Sequence, residues 1–198
     1  LDRHGAAGKA YAFDGGNDYL EISDSPELSG MSEFSLSVWV RLSDSLSENG
    51  VIISKWSPSP RSYVLYFKPT DNEVRLVMSN HGVTFPDNLV NIQQWHHLSA
   101  VLDGSQIKLF LDGNTQSTQS YSGTVPASTM NVLIGKEHDV EHYFNGSIDD
   151  VRIYDRALSP TEVAALYQLE NTPPPNQPPV FSESNATFTT AENNASAS

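Results

Sequence analysis

Glu137-His138-Asp139-Val140-Glu141 sets three carboxylates at alternating positions. Side chains two apart share a face of a β-strand, so on a strand all three would point the same way. The first could then act as nucleophile and the last as general acid, about 5 Å apart as retaining glycoside hydrolysis requires. His138 and His142 interleave with these acids at a four-residue spacing that would pair them for zinc on a helix, but no helical pattern surrounds them. The intervening His138 and Val140 do not supply the apolar flank of a core strand. The segment therefore reads as a solvated acidic loop, with Glu137, Asp139 and Glu141 as an alternative catalytic set. A second group of candidates is aromatic, because sugar sites usually offer a flat ring to an apolar sugar face with polar groups nearby. Trp56 lies in a proline-restricted loop, His81 and Phe85 lie in His81-Gly82-Val83-Thr84-Phe85, and Tyr143 follows His142. With His138 and His142 these form the candidate ligand-binding set, although any one ring could instead plug the core under its own loop.

Composition narrows the chemistry further. The 198 residues carry a net charge of −13 and no cysteine. Thiol nucleophiles, disulfides and Cys-ligated metals are excluded. The acidity argues against nucleic acid, whose binding rests on Lys and Arg neutralising phosphates. It suits hard divalent cations such as calcium, which prefer carboxylate and carbonyl oxygens. No apolar run approaches the ~18 residues of a membrane span. The chain opens at Leu1 without Met or a signal-like segment, and is expected to be excised from a longer one.

The elements that must position these residues are mostly strands. Phe34, Leu36, Val38, Val40 and Leu42 alternate with Ser35, Ser37, Trp39 and Arg41, a period-2 pattern. Asp103-Gly104 and Asp112-Gly113 punctuate runs at 95–102 and 107–111 as hairpin turns. Further strands are expected at 51–55, 63–68, 74–79, 132–135 and 147–154, giving an all-β antiparallel sandwich or barrel. One short helix is expected after the capping box Ser159-Pro160-Thr161-Glu162. Trp39 points away from its strand's apolar face and is either a surface platform or covered by this helix. Of the neighbours His96 and His97, one must face inward as a hydrogen-bonded histidine. Five prolines between 173 and 179 mark a stiff linker. The expected organisation is one domain over 1–170, a linker over 171–180, and a severed or disordered tail over 181–198.

Four motifs in order resemble the laminin-G-like branch of the concanavalin A-like lectin/glucanase sandwiches. They are Ala12-Phe13-Asp14-Gly15-Gly16-Asn17-Asp18-Tyr19-Leu20, the 34–41 strand, the hairpin from Trp95-His96-His97-Leu98 to Leu111-Asp112-Gly113, and Gly146-Ser147-Ile148-Asp149-Asp150-Val151-Arg152-Ile153-Tyr154. The resemblance implies a two-sheet jelly roll with a non-catalytic site for glycan or protein partners. It also implies a structural calcium ion between the first turn and the closing strand, at Asn17, Asp18, Asp149 and Asp150. In strict alternation Asp149 shares the core face with Val151 and Ile153, where a carboxylate needs an ion or several backbone donors. The alternative is that Asp149 pins the turn through backbone N–H groups and Asp18 is a turn residue. The 137–141 spacing is similar to the catalytic strand of sandwich-fold glucanases, but this branch carries an exposed loop there. Asn176-Gln177-Pro178-Pro179-Val180-Phe181 with Ala191-Glu192-Asn193 resembles the start of a cadherin repeat. Together these imply a modular adhesion-type protein, extracellular or at the cell surface and bacterial, whose isolated domain is monomeric.

Overall fold

The computed structural model describes residues 1–43, 49–56, 61–85 and 93–173. The linker from 174, the tail and its cadherin-like motif lie outside the described residues. Twelve strands are present among the described residues, in two six-stranded sheets. The first has the order β1 (Tyr11–Asp14), β12 (Asn145–Tyr154), β3 (Phe34–Leu42), β8 (Trp95–Leu102), β9 (Gln106–Leu111), β10 (Asn114–Ser120). The second has the order β2 (Leu20–Ile22), β11 (Val132–Ile134), β4 (Gly50–Trp56), β5 (Arg61–Lys68), β6 (Glu73–Met78), β7 (His81–Thr84). All pairings are antiparallel, and the expected all-β sandwich is the observed one. The inner faces meet in one core that includes Phe34, Leu36, Val38, Val40, Tyr63, Leu65, Phe67, Leu76 and Leu109.

The turn chemistry follows the sequence. Asp112 and Gly113 both have positive φ, +49° and +77°, as the tight β9–β10 hairpin demands. At Gly146 a Cβ would lie 2.2 Å from the Arg41 carbonyl oxygen, so only glycine lets β12 approach β3 there.

The helix α1 (Pro160–Asn171) starts as expected. Ser159 Oγ accepts from the Glu162 amide at 3.2 Å, and Glu162 Oε2 accepts from the Ser159 amide at 2.8 Å. It lies on the outer face of the first sheet, where Val163 joins Val101, Phe110 and Leu158 in a second small core. Tyr167 stacks on Trp39 with ring centroids 5.6 Å apart, which answers the question left by the alternation of β3. His97 is buried in the same layer, 5.3 Å from the Trp39 ring, and its Nε2 pairs with Ser37 Oγ at 2.7 Å. His96 pairs instead with Asp112, Nδ1 to Oδ2 at 2.9 Å.

Candidate functional site

The second sheet is apolar on both faces over β4, β5 and β6. Ile53, Tyr63, Leu65, Phe67 and Leu76 enter the core, while Val51, Val64, Tyr66 and Val77 alternate to the outside. The ladder pairs Val51 with Tyr66 and Val64 with Val77, so these outward side chains form one continuous floor. Val51 and Val64 are nevertheless buried. What shields them is a wall made of Trp56 at the end of β4 and the loop between β11 and β12.

That loop is tied down by specific bonds. Gly135 N donates to the Ile52 carbonyl at 3.0 Å, and Ser54 Oγ donates to the Lys136 carbonyl at 2.8 Å. His138 Nε2 pairs with the Asn131 carbonyl at 2.8 Å, and Phe144 N donates back to Gly135 at 2.9 Å. The result presents Glu137 and His142, 3.6 Å apart, over the outer face of β4. With Asn49 they complete a cleft of about 190 Å3. Arg61 covers Trp56, its guanidinium 5.4 Å from the ring centroid, and donates to Asn80.

The structure sorts the expected site residues unequally. Trp56 and His142 meet in this cleft. Phe85 does not contribute: it follows β7, continues the inward phase of Val83, and is a core ring 1% exposed. His81 packs against Tyr121 with centroids 4.9 Å apart, outside the cleft lining. His138 anchors the loop rather than the cleft, and Tyr143 lies over Lys136 Nζ at 5.2 Å. The 137–141 segment is a loop and not a strand, so Glu137, Asp139 and Glu141 do not share a strand face. Glu137 lines the cleft, whereas Asp139 and Glu141 are exposed and line none of it. Retaining or inverting hydrolysis needs two carboxylates flanking the bond, and among the described residues this cleft is lined by one, Glu137. Asn49 and Tyr66 were not anticipated. The signal for Tyr66 was the unbroken apolar run of β5, a strand covered on both sides.

The expected calcium ligands are not brought together. The β1–β12 register pairs Asp14 with Asn145 and Tyr11 with Ile148. The turn holding Asn17 and Asp18 therefore leaves at the Asn145 end, while Asp149 and Asp150 lie roughly 13 Å further along β12 at strand spacing. Asp18 Oδ2 accepts from the Asp14 amide at 3.1 Å, as a turn residue does. Asp149 also faces the other way from its expected side. A bulge between Asp149 and Arg152, with Asp150 at φ +44°, inserts one residue and reverses the alternation. Asp149 therefore pairs with Trp39 on the outer face, while Ile153 pairs with Leu36 on the core face.

On that outer face a guanidinium supplies the counter-charge. Arg3 reaches Asp149 at 3.0 Å and Asp150 at 2.7 Å, donates Nε to the Glu170 carbonyl at 2.7 Å, and lies 4.7 Å over the Trp39 ring. Burial, and then the charge of Asp150, push the Asp149 carboxyl above its usual range, with Arg3 opposing. Asn17 and Asp18 are thus not placed to share one calcium ion with Asp149 and Asp150, and among the described residues no group of three or more His, Asp or Glu side chains is placed to hold a metal. An ion that binds only the folded state must raise its stability. The melting temperature is accordingly expected to stay within about 1 °C between millimolar calcium and excess EDTA. A rise of several degrees with calcium would restore the ion to this fold.

Two stacked six-stranded antiparallel sheets with a small cleft on one outer face define a lectin-like jelly roll. Residues 14–164 match the Laminin G 3 family, and the chain belongs to the concanavalin A-like lectin/glucanases superfamily. It is similar to the adhesion G-protein coupled receptor V1 of Danio rerio, 24% identical over 157 residues, which is 72% of this chain and 2% of the receptor. The chain thus spans a small fraction of that relative's length. Among solved structures it resembles domain 4 of AbnA, a GH43 extracellular arabinanase from Geobacillus stearothermophilus in complex with arabinotriose. The TM-score is 0.63 at 21% identity, covering 83% of this chain and 79% of that one. A putative carbohydrate binding protein from Bacteroides ovatus superposes with a TM-score of 0.65 at 15% identity, covering 78% and 45%. At these identities the structural likeness establishes the shared fold. No helix among the described residues is long and apolar enough to cross a membrane.

Proposed function

We propose that this domain is a non-catalytic carbohydrate-binding module of an extracellular or cell-surface, adhesion-type protein, and that its sugar sits in the cleft over β4, β5 and β6. The observation that carries this reading is the cleft itself. A tryptophan ring stands over a valine floor, with Asn49, Tyr66, Glu137 and His142 converging on it. An apolar pocket with a few placed polar groups is the usual form of a small-ligand site. The similarity to a domain solved with arabinotriose and to a part of an adhesion receptor supports the same reading. A single carboxylate among the described residues of the cleft favours binding over hydrolysis.

Titration calorimetry on the wild-type domain with a panel of oligosaccharides tests this. At least one should bind saturably, and Trp56→Ala should weaken it about 30-fold, the ~2 kcal/mol of a hot-spot ring. Trp56 is half-buried at the end of its strand, so the variant should keep the wild-type circular dichroism. Saturable binding indifferent to Trp56→Ala would place the site elsewhere.

A further inference from the structure

We infer that the cleft takes one uncharged sugar residue, held by direct side-chain contacts without a bridging cation. This rests on the carbohydrate-binding reading above and narrows its ligand class. Size is the first argument. At about 190 Å3 the cleft lies below the ~300–1,000 Å3 of drug-sized ligand pockets, so it holds a single ring and not a chain.

Charge is the second. Residues 1–170 carry a net charge of −11, and the ionisable group at the cleft wall is the carboxylate of Glu137 beside His142. None of the described residues lining the cleft is Lys or Arg. The two guanidiniums on the same sheet are already engaged. Arg75 sits 3.3 Å from Glu73 and bonds Thr84, and Arg61 lies on Trp56 and bonds Asn80. A uronate, sialate or sulfate would bring its charge against Glu137 with no Lys or Arg among the described lining residues to meet it, the Arg61 guanidinium lying over Trp56 and bonded to Asn80.

Hydrogen bonding is the third. An ionised carboxylate only accepts, and sugar hydroxyls donate, so Glu137 is matched to an uncharged polyol. The C–H face of the ring then lies against Trp56 and the valines. Asp149 and Asp150 lie on the opposite sheet, paired with Arg3 and, for Asp150, also with Arg152, and among the described residues no acidic cluster is placed to bridge a ligand through calcium.

The test titrates wild type, Trp56→Ala and Glu137→Ala with arabinotriose, cellotriose and lactose as neutral probes and with trigalacturonate and sialyllactose as acidic ones. Each is run in EDTA and in millimolar calcium, at 50 and 500 mM NaCl, and binding seen only with calcium would overturn the cation-free inference while leaving the carbohydrate-binding reading intact. A neutral probe should bind with a Kd that changes less than twofold with salt and bind at least tenfold more tightly than either acidic probe. Glu137→Ala should weaken it tenfold or more, the scale of a hydrogen bond to a charged group. Acidic probes binding more tightly, through Trp56 and with steep salt dependence, would overturn the inference while leaving the carbohydrate-binding reading intact. Binding of neither class, or binding unaffected by both substitutions, would overturn the two together.

Discussion

Replacing Glu170 by alanine should cost the domain about 3 kcal/mol of unfolding free energy. This carboxylate is only 6% exposed, yet it sits in the last turn of α1. Its Oε2 accepts from Trp39 Nε1 at 2.7 Å and its Oε1 accepts from Arg152 Nε at 2.6 Å. Breaking a buried pair costs about 3–5 kcal/mol, because the partner is left buried and unmet. Arg152 is 41% exposed and can recover water, which places the expectation at the low end of that range. Trp39 cannot, since its indole N–H lies beneath the helix. Guanidinium denaturation of Glu170→Ala would read this loss, and a domain of this size should melt roughly 6–12 °C lower. Glu170→Gln keeps an acceptor for Trp39 and should lose about half as much. A Glu170→Ala protein within 1 kcal/mol of wild type would mean that the Glu170 side chain contributes little to docking. The backbone carbonyl of Glu170 also receives Arg3 Nε and pairs with His4 Nε2, so the segment before β1 and the end of the helix are joined at one point.

The second large effect is on acid stability. Burial pushes the His97 imidazole down to about 4 from its ordinary value of 6.5, with Arg3 and Arg152 adding to the depression and Asp112 and Asp150 opposing it. Glu170 lies 3.6 Å from His97 but is already neutralised by Arg152, so it does not hold a second positive charge in place. Below about pH 6.5 the unfolded chain therefore takes up a proton that the folded domain refuses until about pH 4. Stability is full above pH 6.5 and falls as the pH drops through that window. At 1.36 kcal/mol per pH unit the loss amounts to about 3 kcal/mol. Urea unfolding at half-unit steps from pH 7 to 4.5 should show this slope in the wild type and its near disappearance in His97→Gln. An unchanged slope in the variant would assign the acid sensitivity to the carboxylates instead.

The two expectations share one site, the outer face of the first sheet, and its legibility in the sequence was partial. The outward phase of Trp39 and the capping box at Ser159 were both readable from short-range pattern. That Trp39 would be roofed by Tyr167 and bonded by Glu170 was not. The residues are far apart in the chain, and nothing local distinguishes Glu170 from a solvated helix acid. Asp149 shows the same limit more sharply. Strict alternation places it in the core, but one bulge residue at positive φ reverses the phase and delivers it to Arg3. Bulges change a strand's facing without a composition signal strong enough to see in advance.

The cleft divides in a similar way. Trp56, Glu137 and His142 were legible as chemistry-bearing side chains, though Glu137 was grouped, as an alternative catalytic set, with Asp139 and Glu141, which do not line the cleft. Phe85 was a candidate ligand ring with a core plug as its alternative, and the inward phase of β7 carries it into the core. Sequence by itself determined the all-β sandwich, its antiparallel hairpins and its capped helix, because side-chain periodicity and turn conformations are set by neighbours a few residues away. Only the tertiary structure decided which side chains share a surface. Charge pairing between Arg3 and Asp149, the roof over Trp39 and the wall over β4 all depend on sheet register and loop anchoring. Those are fixed by contacts between residues 82 to 146 apart in the chain, which no local pattern records.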